Sequence, residues 1–157
     1  MQKLIVGLGN PGDKYKNNRH NVGYMVVEAF LAKSPVGDFM VKKCNSFMND
    51  SGLFVKGLVE QYHTNTSDLW VIHDDLDIPL GSFKIQKGKG PKLHNGVNSI
   101  ERELGSDEFW RVRVGVDNRN PNDRTTGEEY VLQDFSQEEK NILDKVSQEI
   151  CKKLATS

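Results

Sequence analysis

Cysteine is scarce in this sequence, which has two cysteines among 157 residues, Cys44 and Cys151. Two isolated cysteines provide neither the framework of a disulfide-rich secreted domain nor the spacing of a zinc site. Long hydrophobic runs are missing too, since none approaches the roughly 20 apolar residues of a membrane-spanning helix. The apolar start, residues 1–7, is too brief for a secretory signal and is typical of a first strand. We therefore expect one cytoplasmic domain over residues 1–157, without membrane contact or a metal site.

The sequence also lacks an excess of charge. Lys and Arg number 21 against 22 Asp and Glu, which gives a net charge of −1. This balance argues against a general nucleic-acid binder, because such proteins are usually basic. The positive charges are uneven, however, and a stretch without acids carries Lys84, Lys87, Lys89 and Lys92. A local basic face on a neutral protein can bind one polyanion specifically.

Strand-like and helix-like segments alternate along the chain. Apolar runs or alternating patterns predict strands at 3–7, 39–41, 69–72, 81–86 and 110–116. Helical spacing predicts helices at 22–31, from Asp50 or Ser51 onward, at 97–104, and after the capping box that starts at Ser136. Residues 117–127 are polar and are expected to form a mobile surface loop. This alternation predicts a single α/β sheet domain.

A glycine-rich loop follows the first strand, and Gly7, Gly9 and Gly12 satisfy the dinucleotide-binding pattern G-x-G-x-x-G. A nucleotide site requires a helix to start at the third glycine. Residues 13–19 are polar instead, and the first helical pattern begins only after His20. We therefore interpret the glycines as residues that shape a tight loop presenting Asn10.

Histidine, acid and amide side chains follow the strand-like segments. A carboxylate such as Asp74 can fix the tautomer of His20, which leaves one imidazole nitrogen free to take a proton from water. Asn10, Asn49 and Asn95 offer amide donors to a carbonyl oxygen as it gains charge. The chain has no Gly-x-Ser-x-Gly motif, which favours water as the nucleophile and a labile substrate such as an ester. Each residue also has a simpler interpretation, since isolated histidines usually serve no catalysis and Asn-Gly is a common turn.

Taken together, the motifs resemble those of the bacterial-type peptidyl-tRNA hydrolases. The matching segments run in order from the first strand to the final helix: LIVGLGNPG at 4–12, Tyr15, RHN at 19–21, FMNDSG at 47–52, HDDLD at 73–77 and HNG at 94–96. The resemblance implies a twisted, mixed, largely parallel sheet flanked by helices. It also implies hydrolysis of the ester between a peptide and the 3′-terminal ribose of tRNA, without metal or cofactor.

The resemblance also implies a role for each matching residue. His20 is the expected catalytic base and Asp74 its orienting acid. Asn49 and Asn95 are expected to bind the substrate, and Asn10 to favour N-blocked peptidyl-tRNA. The remaining positions are implied to contact the tRNA, with Tyr15 and Phe47 lining the groove for its 3′ end and Arg113 belonging to a basic clamp on its 5′-phosphate.

The chain departs from the family pattern at several positions. Gln86 stands where a second basic residue is common, and Lys84 or Lys87 could take its place in the clamp. Lys92 and Leu93 stand where glycines usually precede the HNG motif, and a positive φ would strain Leu93. The segment near 33–40 is shorter than usual, and the C-terminal helix is expected to be short because the chain ends soon after Leu154.

Two functions are compatible with these observations. The first is a monomeric peptidyl-tRNA hydrolase that contacts the acceptor stem and 3′ end of its substrate. The alternative is a non-catalytic RNA-binding relative of the same family, which the altered loop at Lys92-Leu93 and the shortened segments motivate. Retention of both His20 and Asp74 argues against the alternative, because a pure binder has little need for that pair.

Overall fold

The computed structural model describes residues 2–88, 90, 91 and 93–156. These residues form five strands, namely β1 (Lys3–Gly7), β2 (Phe39–Lys43), β3 (Leu69–Pro79), β4 (Phe83–Lys87) and β5 (Trp110–Asp117). The helices of the described residues are α1 (Val22–Ala32), α2 (Ser51–Gln61), α3 (Asn95–Leu104), α4 (Gly127–Tyr130) and α5 (Gln137–Thr156). The predicted α/β fold is confirmed.

All five strands belong to one sheet, in the order β2-β1-β3-β5-β4. β1 pairs in parallel with β2 and β3, and β3 pairs in parallel with β5. The edge strand β4 is antiparallel to β5. The sheet is therefore mixed and largely parallel, as the resemblance implied.

Helices cover both faces of the sheet, and each face has its own apolar core. On one face, side chains of the central strands pack with α1 and α5; this core includes Ile5, Ile72, Val112, Val26, Phe30, Val146 and Ile150. On the other face they pack with α2 and α3; this core includes Val6, Leu8, Val71, Val55, Leu58, Val97 and Ile100. Because both faces are covered, β1 and β3 read as nearly continuous apolar runs in the sequence.

Two elements differ from the sequence prediction by more than two residues. β3 continues for seven residues past the predicted end at 72, because its pairing with β5 extends through Asp75 and resumes at Pro79 after an irregularity. The expectation that Asp74 lies just past a strand end was therefore wrong, since this residue lies inside β3. The predicted surface loop leads into α4, whose first turn is capped by the Thr126 hydroxyl accepting from the Glu129 N–H.

The remaining sequence predictions concern length, membranes and the basic stretch. Among the described residues, no helix is both long and apolar enough to cross a membrane. α5 is 20 residues long, and the shortening of this helix and of the segment near 33–40 relative to the family stays a prediction. Lys89 and Lys92 lie outside the described residues.

A buried ion pair ties the start of α1 to the start of α5. The Arg19 guanidinium donates to both carboxylate oxygens of Glu139, at 2.9 and 3.0 Å, and the two side chains are 7% and 9% exposed. Glu139 also accepts from the Ser136 N–H, which completes the predicted capping box. Burial would raise the pKa of Glu139, but its bonds to Arg19, Ser136 and Asn118 lower it to about 2.

We predict that Arg19→Met lowers the free energy of unfolding by about 3–5 kcal/mol, because it leaves the Glu139 charge buried without its partner. Urea unfolding at neutral pH measures the loss. The double variant Arg19→Met/Glu139→Leu leaves no buried charge and should be more stable than Arg19→Met alone. A double variant that loses the sum of the two single losses would contradict this account of the pair.

Candidate active site

A buried carboxylate lies at the centre of the site. One oxygen of Asp74, Oδ2, is 2.8 Å from His20 Nδ1, and the other, Oδ1, is 2.8 Å from His94 Nε2. Asp74 is 2% exposed, so each oxygen has an imidazole in place of water. The structure therefore brings together the predicted pair His20 and Asp74 and adds a second histidine.

Electrostatics set the charge of this group. Burial alone would raise the pKa of Asp74, but the two imidazoles that face it hold that pKa well below its usual range. Burial disfavours the charged form of His20, yet the Asp74 carboxylate and its hydrogen bond outweigh burial and raise the pKa of His20 above 6.5. Asp74 is thus an anion that accepts hydrogen bonds and donates none.

The hydrogen bonds assign opposite tautomers to the two histidines. His20 must carry its proton on Nδ1 to donate to Asp74, which leaves Nε2 as a free acceptor. In His94 the Nδ1 atom accepts from the Val97 N–H at 3.1 Å, so the proton that reaches Asp74 is on Nε2. His94 therefore has two functions, because it caps the start of α3 and fixes the Asp74 carboxylate.

The position of His20 depends on backbone pairing with a distant segment. His20 belongs to a single 3-10 turn, Arg19–Asn21, that directly precedes α1. Its N–H donates to the Val131 carbonyl at 2.8 Å, and the Arg19 N–H donates to the Gln133 carbonyl at 3.0 Å. The segment that follows α4 therefore holds the backbone of the predicted base.

The glycine loop presents Asn10, as predicted. The Asn10 N–H donates to Asn21 Oδ1 at 2.8 Å, and Asn21 Nδ2 donates back to the Asn10 carbonyl at 2.9 Å. Asn10 Oδ1 accepts from the Met48 N–H at 2.8 Å, which fixes the orientation of the side-chain amide and leaves its NH₂ group available to donate. A Cβ on Gly7 would lie 2.4 Å from the Gly23 carbonyl oxygen of α1. This glycine thus permits close packing of β1 on α1.

A cavity of about 560 Å³ opens beside His20 and Asp74. It is lined by six of the seven predicted catalytic and substrate-binding residues: His20, Asp74, Asn10, Phe47, Asn49 and Asn95. The seventh, Tyr15, packs edge-on against the Phe47 ring, with ring centroids 6.2 Å apart. A larger cavity of about 930 Å³ lies between α1, α5 and the glycine loop, and Asn10 lines both.

Sequence reasoning missed several residues of this cavity. His94 and Asp75 stood inside recognised motifs, but no role was assigned to either side chain. The apolar part of the wall includes Pro91, Leu93, Val131 and Leu132. The residues from 127 to 132 gave no signal, because α4 is too short to show helical periodicity. Among the described residues, positive φ outside glycine occurs only at Ser34 and His63, so Leu93 lines the wall without that strain.

The three residues of the predicted phosphate clamp lie on β4 and β5, and none of them lines this cavity. In β4, Phe83 and Ile85 pack on the core shared with α1 and α5, so Lys84 faces the opposite side, across from Arg113. Successive side chains of a strand point to opposite faces, so Lys87 lies on the same face of β4 as Phe83 and on the opposite face from Lys84. The structure brings Lys84 and Arg113 together and does not bring Lys87 to them.

The three central side chains also have atoms suited to a metal ion. One ligand atom each from His20, Asp74 and His94 lie within 4.8 Å of one another. Both imidazole nitrogens, however, are at hydrogen-bond distance from the carboxylate. An ion in this position would have to replace both N–H···O bonds, so the arrangement fits a hydrogen-bonded triad better than a ligand set.

Comparison with known proteins identifies the family. A family model described as peptidyl-tRNA hydrolase matches residues 4–157. The chain belongs to this family. A peptidyl-tRNA hydrolase of Sulfurihydrogenibium sp. (strain YO3AOP1) is 38% identical over 164 residues, which cover 93% of this chain and 85% of the relative. One from Pseudothermotoga lettingae is 39% identical, covering 92% of this chain and 83% of the relative.

Solved structures agree with this assignment. The crystal structure of peptidyl-tRNA hydrolase from Acinetobacter baumannii superimposes with a TM-score of 0.82 and is 26% identical in sequence. The match covers 97% of this chain and 86% of that chain. Both the family and the fold that the resemblance implied are confirmed.

We predict that His20 and His73 of this peptidyl-tRNA hydrolase family member titrate differently, and NMR of the two imidazole groups measures their titration midpoints. His20 should titrate with a midpoint above 6.5 and show the Nδ1–H tautomer at higher pH. His73 should not titrate near neutral pH, because its complete burial lowers its pKa to about 3. His94 should show the Nε2–H tautomer.

The variant Asp74→Asn tests the cause of the raised His20 pKa. The negative charge disappears while burial remains, so the His20 midpoint should fall. The variant His20→Gln identifies the His20 resonance, and the silent His73 resonance serves as an internal reference. If the titration midpoint of His20 is the same in the native protein and in Asp74→Asn, Asp74 does not set the pKa of His20.

Proposed function

We propose that this protein hydrolyses the ester that joins a peptide to the 3′-terminal ribose of tRNA, with water activated by His20 as the nucleophile. The observation that most directly supports this proposal is the 2.8 Å contact between His20 Nδ1 and Asp74 Oδ2 inside an open cavity. This contact leaves Nε2, the second imidazole nitrogen, free to take a proton. The relatives named peptidyl-tRNA hydrolase support the choice of substrate.

The reaction needs one proton acceptor and one proton donor, and His20 serves as both. Nε2 takes a proton from water as the water oxygen attacks the ester carbonyl carbon. The tetrahedral intermediate then collapses, the bond to the ribose oxygen breaks, and the imidazolium returns the proton to that oxygen. Asp74 stabilises the imidazolium and keeps Nε2 directed at the water. The products are a free peptide carboxylate and tRNA with an intact 3′-hydroxyl.

Amide donors stabilise the negative charge that develops on the carbonyl oxygen. Asn10 offers the NH₂ group of a side chain whose orientation is fixed by Met48. Asn49 and Asn95 are exposed at the same cavity and supply further amide groups for the substrate. A single donor of this kind contributes roughly 10²–10³ in rate.

The remaining surface suits the end of a tRNA. Phe47 is 55% exposed, and its ring together with that of Tyr15 offers an aromatic platform. Unpaired bases, such as those at the 3′ end of tRNA, stack on such platforms. The protein would act in the cytoplasm as a monomer, with no partner beyond its peptidyl-tRNA substrate.

A non-catalytic RNA-binding protein is the less favoured function. The buried Asp74 with its two imidazole partners is an arrangement for controlling a proton, and binding RNA does not require it. The altered residue Leu93, which motivated the alternative, lines the cavity without a positive φ.

We predict that His20→Ala and Asp74→Asn lower the rate of tRNA release from N-blocked aminoacyl-tRNA by about 10²–10⁴-fold. The affinity for the substrate should change little, because neither side chain supplies a charge for the phosphates. Rapid-quench measurement of tRNA release gives the rate, and filter binding gives the affinity. The variant His63→Ala is the matched control, because His63 is exposed and lines neither cavity.

Negligible release by the native protein and by all variants, with substrate still bound, would establish the RNA-binding alternative. Rapid release by both the native protein and His20→Ala would show that the protein is an enzyme but that His20 is not its catalytic base.

We also predict a pH profile controlled by the same pair. The value of kcat/KM should rise with pH on the acid side as His20 loses its proton, and reach a plateau above the raised pKa of His20. In Asp74→Asn this limb should move to lower pH, because the charge that raises the His20 pKa is gone, while the plateau falls. Parallel incubations without protein correct for spontaneous ester hydrolysis. If the acid limb of Asp74→Asn stays at the same pH as that of the native protein, a group other than His20 controls the pH profile.

A further inference from the structure

Two exposed leucines share a cavity with the proposed base. Leu93 is 83% exposed and Leu132 is 48% exposed, and both line the cavity beside His20 and Asp74. Single apolar side chains on a protein surface are common, but several that meet at one concave site mark a place where an apolar group binds. The two leucines therefore indicate that the substrate carries an apolar part.

Each leucine is next in the chain to a residue of the hydrogen-bonded centre. Leu93 directly precedes His94, which bonds the buried carboxylate. Leu132 directly follows Val131, whose carbonyl accepts from the His20 N–H at 2.8 Å. The two imidazole rings are 5.3 Å apart. A group attached to a carbonyl carbon in front of His20 can therefore contact both leucines.

Further apolar side chains extend this surface. Leu76, Pro91 and Val131 line the same cavity. The segment that begins at Gly127 lies against β3 here, since a Cβ on Gly127 would be 2.8 Å from Leu76 Cδ1. We call this surface the apolar wall; it consists of Leu76, Pro91, Leu93, Val131 and Leu132. It combines residues from β3, from the loop before α3 and from the segment 127–132.

Two acids accompany the apolar wall. Asp77 follows Leu76, Glu128 follows Gly127, and both acids are exposed and line the cavity. Among the residues that the structure describes, no Lys or Arg lines this cavity, and neither carboxylate has a hydrogen-bond or ion partner. Two unpaired negative charges repel phosphate groups. This part of the cavity is therefore unsuited to the tRNA backbone.

The two arms of the substrate need separate places. In the ester, the carbonyl carbon is bonded to the ribose oxygen on one side and to the α-carbon of the last amino acid on the other. The aromatic platform of Phe47 and Tyr15 suits the unpaired bases at the tRNA end. The apolar wall, with its two acids, is then the surface that remains for the amino acid.

We propose that Leu93 and Leu132 bind the side chain of the amino acid that is esterified to tRNA, and that this subsite prefers large apolar side chains to small or acidic ones. The inference rests on the proposed function and adds a substrate preference to it. Leu93 is the principal specificity-determining residue, because it is the more exposed of the two leucines.

The test uses one tRNA charged with either N-acetyl-leucine or N-acetyl-alanine, so that the RNA is identical in both substrates. The native protein should show a kcat/KM about 10-fold higher for the leucine ester, at the low end of what enclosed apolar pockets achieve, because the wall is open to solvent. Leu93→Ala and Leu132→Ala should each lower this ratio several-fold. Leu53→Ala is the matched control, because Leu53 is 62% exposed and lines neither cavity.

A second pair of substrates tests the two acids. N-acetyl-glutamine and N-acetyl-glutamate on the same tRNA have nearly the same shape and differ in charge. The native protein should favour the glutamine ester about 5-fold, as like charges near the surface repel. The double variant Asp77→Asn/Glu128→Gln should remove this difference, and Glu60→Gln, an exposed residue outside both cavities, should keep it. A difference that the double variant leaves unchanged would overturn the placement of the amino acid on this wall.

The leucine preference decides the proposal. Equal kcat/KM for the leucine and alanine esters in the native protein would overturn it, after correction for spontaneous hydrolysis in parallel incubations. A preference that survives unchanged in both Leu93→Ala and Leu132→Ala would also overturn it, because the preference would then come from other residues.

A binding measurement separates failure of this inference from failure of the proposed function. The probes are the same two charged tRNAs with an amide in place of the ester, which resists hydrolysis, and filter binding gives their Kd values. If the native protein cleaves neither ester, the proposed function fails. A tighter Kd for the leucine amide that is lost in Leu93→Ala would then still support the subsite, and equal Kd values would overturn it.

Discussion

The carboxylate of Asp74 is the constraint on which the site depends. A buried anion is tolerated only when its lone pairs are satisfied, and Asp74 has a single imidazole for each oxygen. This requirement fixes the tautomers of His20 and His94 and holds three chain segments together: the turn before α1, the strand β3 and the start of α3. The free nitrogen of His20 follows from it, because the other nitrogen must serve Asp74.

Around Asp74, the polar contacts of several side chains join segments of the protein to one another. Asn21 and Met48 orient Asn10, the Arg19–Glu139 pair ties the turn that carries His20 to α5, and Gly90 lies against the arginines of β5. The side chains of Asn10, His20 and His94, which face the cavity, are therefore restricted to few rotamers. The apolar layers on both faces of the sheet supply stability, and these buried polar contacts supply the geometry.

The sequence predicted the elements with strong apolar periodicity and the approach of His20 to Asp74, since both follow from local pattern and sheet topology. It missed the extension of β3, because histidine and aspartate carry no strand signal and only pairing with β5 keeps them extended. The role of His94 could not be predicted without knowing the residue at which α3 starts. The bond between Asp75 and Arg113, which are 38 positions apart, could not be predicted without knowing the register between β3 and β5.

The backbone contacts of His20 have a consequence for biosynthesis. Its N–H bonds Val131, and neighbouring Arg19 bonds Gln133 and Glu139, residues more than 110 positions later in the chain. Ribosomes deliver the N-terminal part first, at about 5–20 residues per second. The sheet strands β1 to β5 can therefore emerge and pair while the turn that carries His20 still lacks its support. The turn that carries His20 is therefore supported only after residues 131–139 have been synthesised, later than the strands of the sheet.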